Sequence, residues 1–444
     1  MDHTIYFNGI DSEGGGYARP PRKPEDLRFL LENFEPPALP RRLAFGLDPV
    51  DLSTVGWGVL WPQGATEDRR QALEPLLEYR RQQAGNRYFE LDVSADESPF
   101  QFLERQGTGL GPIDPTRVPY HLLIAASPEE VSFTFQSELG ATHSVGRLDA
   151  GDLDGMTAYA QRLVDFETAE SASPRHAAFF GVEHRDDPLT RLSVEYLVGG
   201  LEKKIAWANQ AWRVSTYMRH AADKHTLKRL LHDTEQRPAL LFTASHGLQC
   251  RPGTRQKAYQ GALICSDFPG PKAWRGRLPD EYLFAAHDVP SDLDLSGLVL
   301  CSFACYSAGV PRFDSYSESS PKILAERPFV APLANALLRQ GALGVIGHVD
   351  VTFEQSFLGS GSNPQLSTFE SLISAILAGC PLGHAMDYMA SRYAQLAVRI
   401  ASTVRRAQRW EPDRSPLPAF QTWAAFEDAK NFLLLGDPAA RLHL

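Results

Sequence analysis

The sequence predicts an α/β fold on a mostly parallel central sheet, with a smaller α/β unit ahead of a larger one. Three observations carry that expectation. Largely apolar runs recur along the chain, among them YHLLIAA (120–126), ALLFTAS (239–245) and LSGLVLCSF (295–303), and strands buried on both faces read this way. Segments with apolar residues at helical spacing lie between such runs. The alternation pauses at SASPRH (171–176) and then restarts. The chain therefore divides into an arm over 1–50, a first α/β unit over 51–170 and a second over 171–444.

The arm is rich in Pro and Gly, with PPRKP at 20–24 and PPALPRR at 36–42. It reads as irregular, with one short helix over Pro24 to Asn33, wrapping over a folded unit. The first unit opens with the strand GWGVLW (56–61). A helix follows whose Ala72, Leu73, Leu76 and Leu77 form one stripe and which Gly85 ends. YFELDV (88–93), YHLLIAA and SVGRL (144–148) are further strands, and 152–167 is a helix carrying Met156, Tyr159, Ala160, Leu163 and Val164 on one face.

In the second unit AAFFGV (177–182) is a strand, 191–217 a helical region and 222–232 a charged helix. The strands 239–245 and 295–303 come next, then a helix over 331–340 and the strand ALGVIGHV (342–349). A long helix over 367–400 is kinked by Gly-Cys-Pro-Leu-Gly at 379–383. NFLLLGD (431–437) closes the chain as a strand. There is no internal repeat; SYSESS (315–320) and LGSGSNP (358–364) are low-complexity loops.

Composition narrows the function. Hydrophobic residues make up 43% and charged residues 22%, the balance of a globular protein. A net charge of −10 argues against nucleic acid or an anionic membrane as partner, because phosphate binding needs concentrated Lys and Arg. Arg405, Arg406 and Arg409 read as a solvated helix face. The N-terminus lacks a basic then apolar leader, and no apolar run reaches membrane-spanning length, so the cytoplasm is the expected compartment. Five cysteines, an odd number without zinc-finger spacing, suit a reducing environment. No HExxH, phosphate-binding loop or G-x-S-x-G elbow is present, so neither a metal nor another cofactor is expected.

The chemistry gathers where strands end. In parallel sheets, ligands bind beyond the carboxyl ends of strands. His246 follows directly on ALLFTAS and precedes Gly247, whose missing side chain permits a tight turn and leaves its N–H open to a ligand oxygen. Cys305 stands just past LVLCSF, among Ala304, Tyr306, Ser307, Ala308 and Gly309. Small neighbours let a substrate backbone approach its sulfur. Alternation puts Cys301 on the same side but deeper, a core position.

These pieces, HG after one strand and ACYSAG after a later one, resemble the caspase-like cysteine peptidases of clan CD. That group includes caspases, gingipains, separases and bacterial CHAT domains. The resemblance implies a three-layer sandwich, with His246 as the catalytic histidine, Gly247 as its oxyanion-hole neighbour and Cys305 as the nucleophile. The 342–349 strand resembles the groove-lining strand of these enzymes, and NFLLLGDPAARL (431–442) resembles the closing segment of gingipains. YHLLIAASPEEVSF (120–133) and 145–167 are similar to the first gingipain subdomain, with Gly146 and Arg147 as packing and turn residues. The likeness covers 120–442; residues 1–50 have no counterpart. Gingipains are secreted with propeptides, whereas this chain shows no export signal, and its nucleophile region is nearer the CHAT style.

The expected activity is hydrolysis of a peptide bond in a protein substrate by a Cys305/His246 dyad, latent until an activating sensor protein or a cleavage releases it. No third residue orienting His246 is identifiable. The specificity pocket of this group holds either acids or bases. Asp267, Asp350 and His348 are the candidates, with Asp288, Asp314 and Glu354 as further acids whose ordinary role is capping or solvation. Two other readings stay open: a catalytically silent scaffold of the same fold that binds a partner protein, and a generic α/β hydrolase or ligand-binding protein.

Overall fold

The computed structural model describes residues 4–27, 43–44, 46–108, 112–234, 237–314, 316, 322–359, 363–410 and 417–444, with backbone alone at 24, 27 and 404–410. The PPALPRR stretch and most of SYSESS lie outside the described residues, as do the side chains of Arg405, Arg406 and Arg409.

Ten strands form one sheet. In chain order they are β1 (Trp57–Pro62), β2 (Tyr88–Val93), β3 (His121–Ile124), β4 (Ser144–Arg147), β5 (His176–Gly181), β6 (Arg213–Met218), β7 (Leu240–Ala244), β8 (Val299–Phe303), β9 (Gly344–His348) and β10 (Phe432–Gly436). Their order across the sheet is β2-β1-β3-β4-β10-β9-β8-β7-β5-β6. Neighbours run parallel except β9 and β10, which pair antiparallel from Gly344–Gly436 to His348–Phe432. β1, β3, β4, β5, β7, β8, β9 and β10 are buried at every residue. This is the two-sided burial that largely apolar strand sequences favour, and three layers result.

The two sequence units share this sheet. β10 comes from the end of the chain yet pairs with β4 of the first unit through Leu435 and Arg147. Asp437, just past β10, accepts the Trp57 indole N–H at 2.9 Å and the buried Arg80 guanidinium at 2.7 Å. Arg80 lies on α1 (Glu67–Ala84) and also pairs with Glu167 of α3 (Leu153–Thr168), one helix beyond α2 (Phe133–Gly140). The closing LGD segment thus ties the last strand to the first helices. Arg147 is wholly buried and donates to Gln136 Oε1 and to the carbonyls of Ala126, Val131 and Ser132. Its expected packing role is therefore the observed one.

The further helices of eight residues or more among the described residues are α4 (Gly199–Ala208), α5 (Lys224–His232), α6 (Pro332–Arg339), α7 (Ser367–Leu377), α8 (Asp387–Trp410) and α9 (Leu417–Asn431). The break between α7 and α8 falls at the Gly-Cys-Pro-Leu-Gly run, where Gly379 takes φ +77°. Two expectations need correcting. The helical region over 191–217 ends at Ala208, and Arg213–Met218 is an edge strand. Its residues are half-exposed, so it has no apolar run to announce it. The helices α2 and α9 are additional; α9 is buried on several sides, at Phe420, Trp423, Phe426 and Ala429, so it lacks a single apolar face.

The arm is ordered over 4–22 as a hairpin, bridged at Ile5–Arg22 and Ile10–Tyr17, with Asp11 N–H donating to Gly16 O at its turn. Of the short helix expected over Pro24 to Asn33, the described part, Pro24–Leu27, is a 3-10 turn, and 28–33 lie outside the described residues.

Candidate active site

Register brings the two predicted residues level. β7 and β8 are adjacent and parallel, with Ala244 opposite Phe303. Two residues further along each chain stand His246 and Cys305, at the carboxyl edge where ligands bind in such sheets. Gly247 explains why the next position has no side chain. A Cβ there would lie 1.8 Å from the carbonyl oxygen of Cys305 and 2.7 Å from its carbon. The two backbones touch, and only glycine fits.

His246 is buried, and its Nε2 lies 2.6 Å from Asp187 Oδ2. Asp187 is the orienting group that sequence reasoning did not find. It follows β5 and caps the short helix Pro188–Leu192, accepting the Leu189 N–H. It also accepts the hydroxyls of Thr190 at 2.8 Å and Tyr17 at 2.7 Å. Burial opposes ionisation of Asp187, but His246, Tyr17 and Thr190 outweigh it and hold the carboxyl well below its usual range. A signal was present: Asp-Pro just past an apolar strand marks a helix N-cap at a carboxyl edge.

His184 stacks on His246, with ring centroids 5.7 Å apart and planes 11° from parallel. Its Nε2 lies 3.1 Å from the Cys265 carbonyl, while Nδ1 has no hydrogen-bond partner among the described residues and sits 3.9 Å from Asp187 Oδ2. Burial, reinforced by His246, pushes its pKa down to about 4, so it is neutral at pH 7. The ligating atoms of His184, Asp187 and His246 lie within 4.8 Å of one another, near enough to share one ion. Asp187 already accepts four donors, from Leu189, Thr190, Tyr17 and His246. A hydrogen-bonded couple describes the group better than a metal centre.

Cys305 is fully buried. Its Sγ lies 3.2 Å from the Thr352 backbone N–H and 3.6 Å from the Thr352 hydroxyl. Burial pushes the thiol up to about 12, so it is protonated at rest. Tyr306, the next residue, takes φ +59° while buried, a left-handed conformation that a bulky side chain adopts only where its surroundings impose it. Cys301 is buried within β8, opposite Phe242 and Ile346, a core residue as expected.

The cover over Cys305 is the hairpin. A Cβ added at Gly9 would lie 3.6 Å from both Cβ and Sγ of Cys305. Ile10–Asp11 pairs in parallel with Leu248–Gln249, directly after Gly247, and Ile10 N–H donates to Gly247 O. Asn8 Nδ2 donates to the Thr352 hydroxyl at 2.9 Å. The Tyr17 ring meets His246 edge-on at 6.1 Å. Arg19 is buried beside Asp350 and Asp314.

Of the three pocket candidates, the structure brings one to this group. Asp350, one turn past β9, is buried, accepts the Tyr306 N–H on its carbonyl and faces Arg19; burial raises its pKa to about 6. His348 lies within β9 between Phe303 and Phe432, its Nε2 3.1 Å from Asp428 of α9. Asp267 is exposed and accepts the Lys224 N–H at the start of α5. Asp288 is held by Lys224 and Lys228.

Solved structures share this architecture at low sequence identity. The chain superposes on gingipain R, an Arg-specific cysteine proteinase, with TM-score 0.51 and 10% identity, over 87% of this chain and 78% of that one. A structure named only as a protease gives TM-score 0.50 and 11% identity, over 88% and 80%. The complex of pro- and mature domains of RgpB from Porphyromonas gingivalis gives 0.46 and 8%, over 87% and 80%. No protein-family model and no curated protein matches the chain. The protein therefore has a caspase/gingipain-like protease fold at low sequence identity over most of its length. Among the described residues no helix is long and apolar enough to cross a membrane.

Proposed function

We propose that this protein is a cysteine endopeptidase acting on a protein or peptide through Cys305, with His246 as its acid–base partner and Asp187 holding the imidazole. One observation carries the reading: the register of β7 and β8 sets His246 and Cys305 level at the sheet's carboxyl edge, with Asp187 2.6 Å from Nε2. With Nε2 committed to Asp187, Nδ1 is the nitrogen left to take the thiol proton. The sulfur then bonds to the scissile carbonyl carbon, and the N–H groups of Gly247 and Cys305 face the developing oxyanion. The C–N bond breaks as His246 returns the proton to the leaving amine. Water, deprotonated by His246, finally cleaves the thioester.

The buried thiol under Gly9 specifically favours a second reading, a silent scaffold of the same fold. Cleavage of a diverse peptide library separates the two. The peptidase reading expects turnover after limited proteolysis of the arm, retained in Cys301→Ala and lost in Cys305→Ala and His246→Ala, with each variant checked for folding. A folded protein that neither cleaves nor reacts with a thiol probe after that treatment sinks the peptidase reading.

A further inference from the structure

The central sheet ends in two edge strands of the same length, and the fold treats them differently. β2 and β6 each span six residues and pair on one side alone among the described residues. At β2 the open side is guarded. Gln63 N–H donates to Val93 O, so alternation turns the Asp92 carbonyl outward, where Arg105 Nη2 donates to it at 2.7 Å. Glu90 and Asp92 also stand exposed on that strand, charges of the kind that keep a further strand away.

β6 has no such cover. Arg213 N–H donates to Arg175 O, and the parallel register runs from His176–Arg213 to Gly181–Met218. Arg213, Ser215 and Tyr217 therefore direct their main-chain groups at β5. The N–H and C=O groups of Val214, Thr216 and Met218 face the other way and meet no hydrogen-bond partner among the described residues. Past Arg213 the strand reads VSTYM, without charge or proline, and Val214, Tyr217 and Met218 are half-buried against the core. An unguarded edge of this length is a template for one more strand.

Charge selects the occupant. Between 202 and 232, seven Lys and Arg stand against Glu202 and Asp223, in a chain of net charge −10. Lys204, Arg219, Lys224 and Lys228 are paired to Glu370, Glu183 and Asp288. Lys203, Arg213 and Arg229 are exposed and have no carboxylate partner among the described residues. A second copy fits badly. Two β6 strands related by a two-fold axis at Thr216, the central outward-facing residue, would bring Arg213 of each level with Arg219 of the other. An acidic strand meets the same two positions with opposite charge.

We propose that β6 is a docking edge for an extended acidic segment of a partner protein, which adds to the sheet as a further strand with its carboxylates beside Arg213 and Arg219. Two strands, β7 and β5, separate this edge from β8 and Cys305, so docking leaves the sulfur and its cover in place. The proposal stands apart from the peptidase reading.

The test uses the full chain and a fluorescein-labelled peptide of alternating Val and Thr with two Glu at each end, beside the same peptide with Lys in place of Glu. Binding is read by anisotropy at low salt. Hydrogen exchange of single amides is followed by mass spectrometry with and without the Glu peptide. The expected result is that the Glu peptide binds ~10-fold tighter than the Lys peptide. It should also slow exchange at Val214, Thr216 and Met218 by ~10-fold. Thr216→Pro, which removes one outward N–H at an edge position that tolerates proline, should weaken binding by about 5–10-fold. Arg213→Glu should erase the preference for Glu, and it keeps the test decisive should the proline variant not fold. If the Glu peptide binds without slowing those amides, or binds a folded Thr216→Pro as well as the wild type, β6 is not the site. If neither peptide binds at millimolar concentration, or both bind equally, the acidic partner is wrong. If the chain associates with itself as its concentration rises and protects the same amides, a second copy holds the edge and the proposal falls.

Discussion

Gly247→Ala tests the packing on which the whole site depends, without reference to any substrate. The added Cβ would lie 1.8 Å from the carbonyl oxygen of Cys305, 2.7 Å from its carbon and 2.9 Å from its nitrogen. Ordinary contact begins near 3.4 Å, so the two main chains must part by roughly 1.6 Å. No side-chain rotation relieves this, because every atom struck is backbone, at the buried carboxyl edge of the sheet. The cost belongs at the upper end for overpacking, about 3 kcal/mol. For a chain of 444 residues the unfolding entropy is roughly 0.9 kcal/mol/K, so the melting temperature should fall by about 3 °C. Gly140→Ala is the control: it is helical, and nothing lies within 4 Å of its added Cβ. It should be neutral or stabilise by up to about 1 kcal/mol. Thermal melts of the three proteins decide the matter. Co-melting of Gly247→Ala with the wild type would refute the claim that the Gly247 and Cys305 backbones are pressed together.

Other perturbations have equally definite outcomes. Asp187→Asn replaces an acceptor that holds His246, Tyr17 and Thr190 with an amide that can serve only some of them. Melts should show a loss of about 1–3 kcal/mol, and under the peptidase reading kcat should fall on the order of 10³–10⁴-fold; full activity would remove Asp187 from the mechanism. His121 and His184 are both buried, and burial lowers each to about 4 from an unfolded value of 6.5. The stability each contributes is present above pH 6.5 and lost as the pH falls toward 4, about 3 kcal/mol apiece. Asp350 has the opposite sign: raised from 3.8 to about 6, its contribution is present below pH 3.8 and lost as the pH rises through 6. Denaturant titrations of His184→Gln between pH 7 and 4.5 should show a shallower acid loss than the wild type, and an unchanged slope would contradict neutral burial. Arg147→Met strands Gln136 and three carbonyls that now accept from the guanidinium. It should cost about 3–5 kcal/mol in chemical denaturation, and a loss below 1 kcal/mol would show those groups find other partners.

Much of this protein is determined locally and can be read from the chain. Strands buried on both faces are largely apolar, so β3, β7, β8 and β9 announce themselves even with His121, Thr243, Ser302 and His348 among their buried residues, and the helix break at 379–383 is written in Gly and Pro. His246 before a glycine and Cys305 among small residues were legible for the same reason: each sits where a recognisable strand stops. What the tertiary structure alone decides is which strands are neighbours and what crosses them. β10 joins two halves that look separate in sequence, because pairing partners are chosen by long-range packing. Arg213–Met218 was hidden because an edge strand has no second buried face. Asp187 reaches His246 from 59 residues upstream, and Arg19 reaches Tyr306 across 287. Contacts of that kind leave no local period or spacing. They exist because an ion or hydroxyl buried in a folded core must find its partner wherever the fold has placed one.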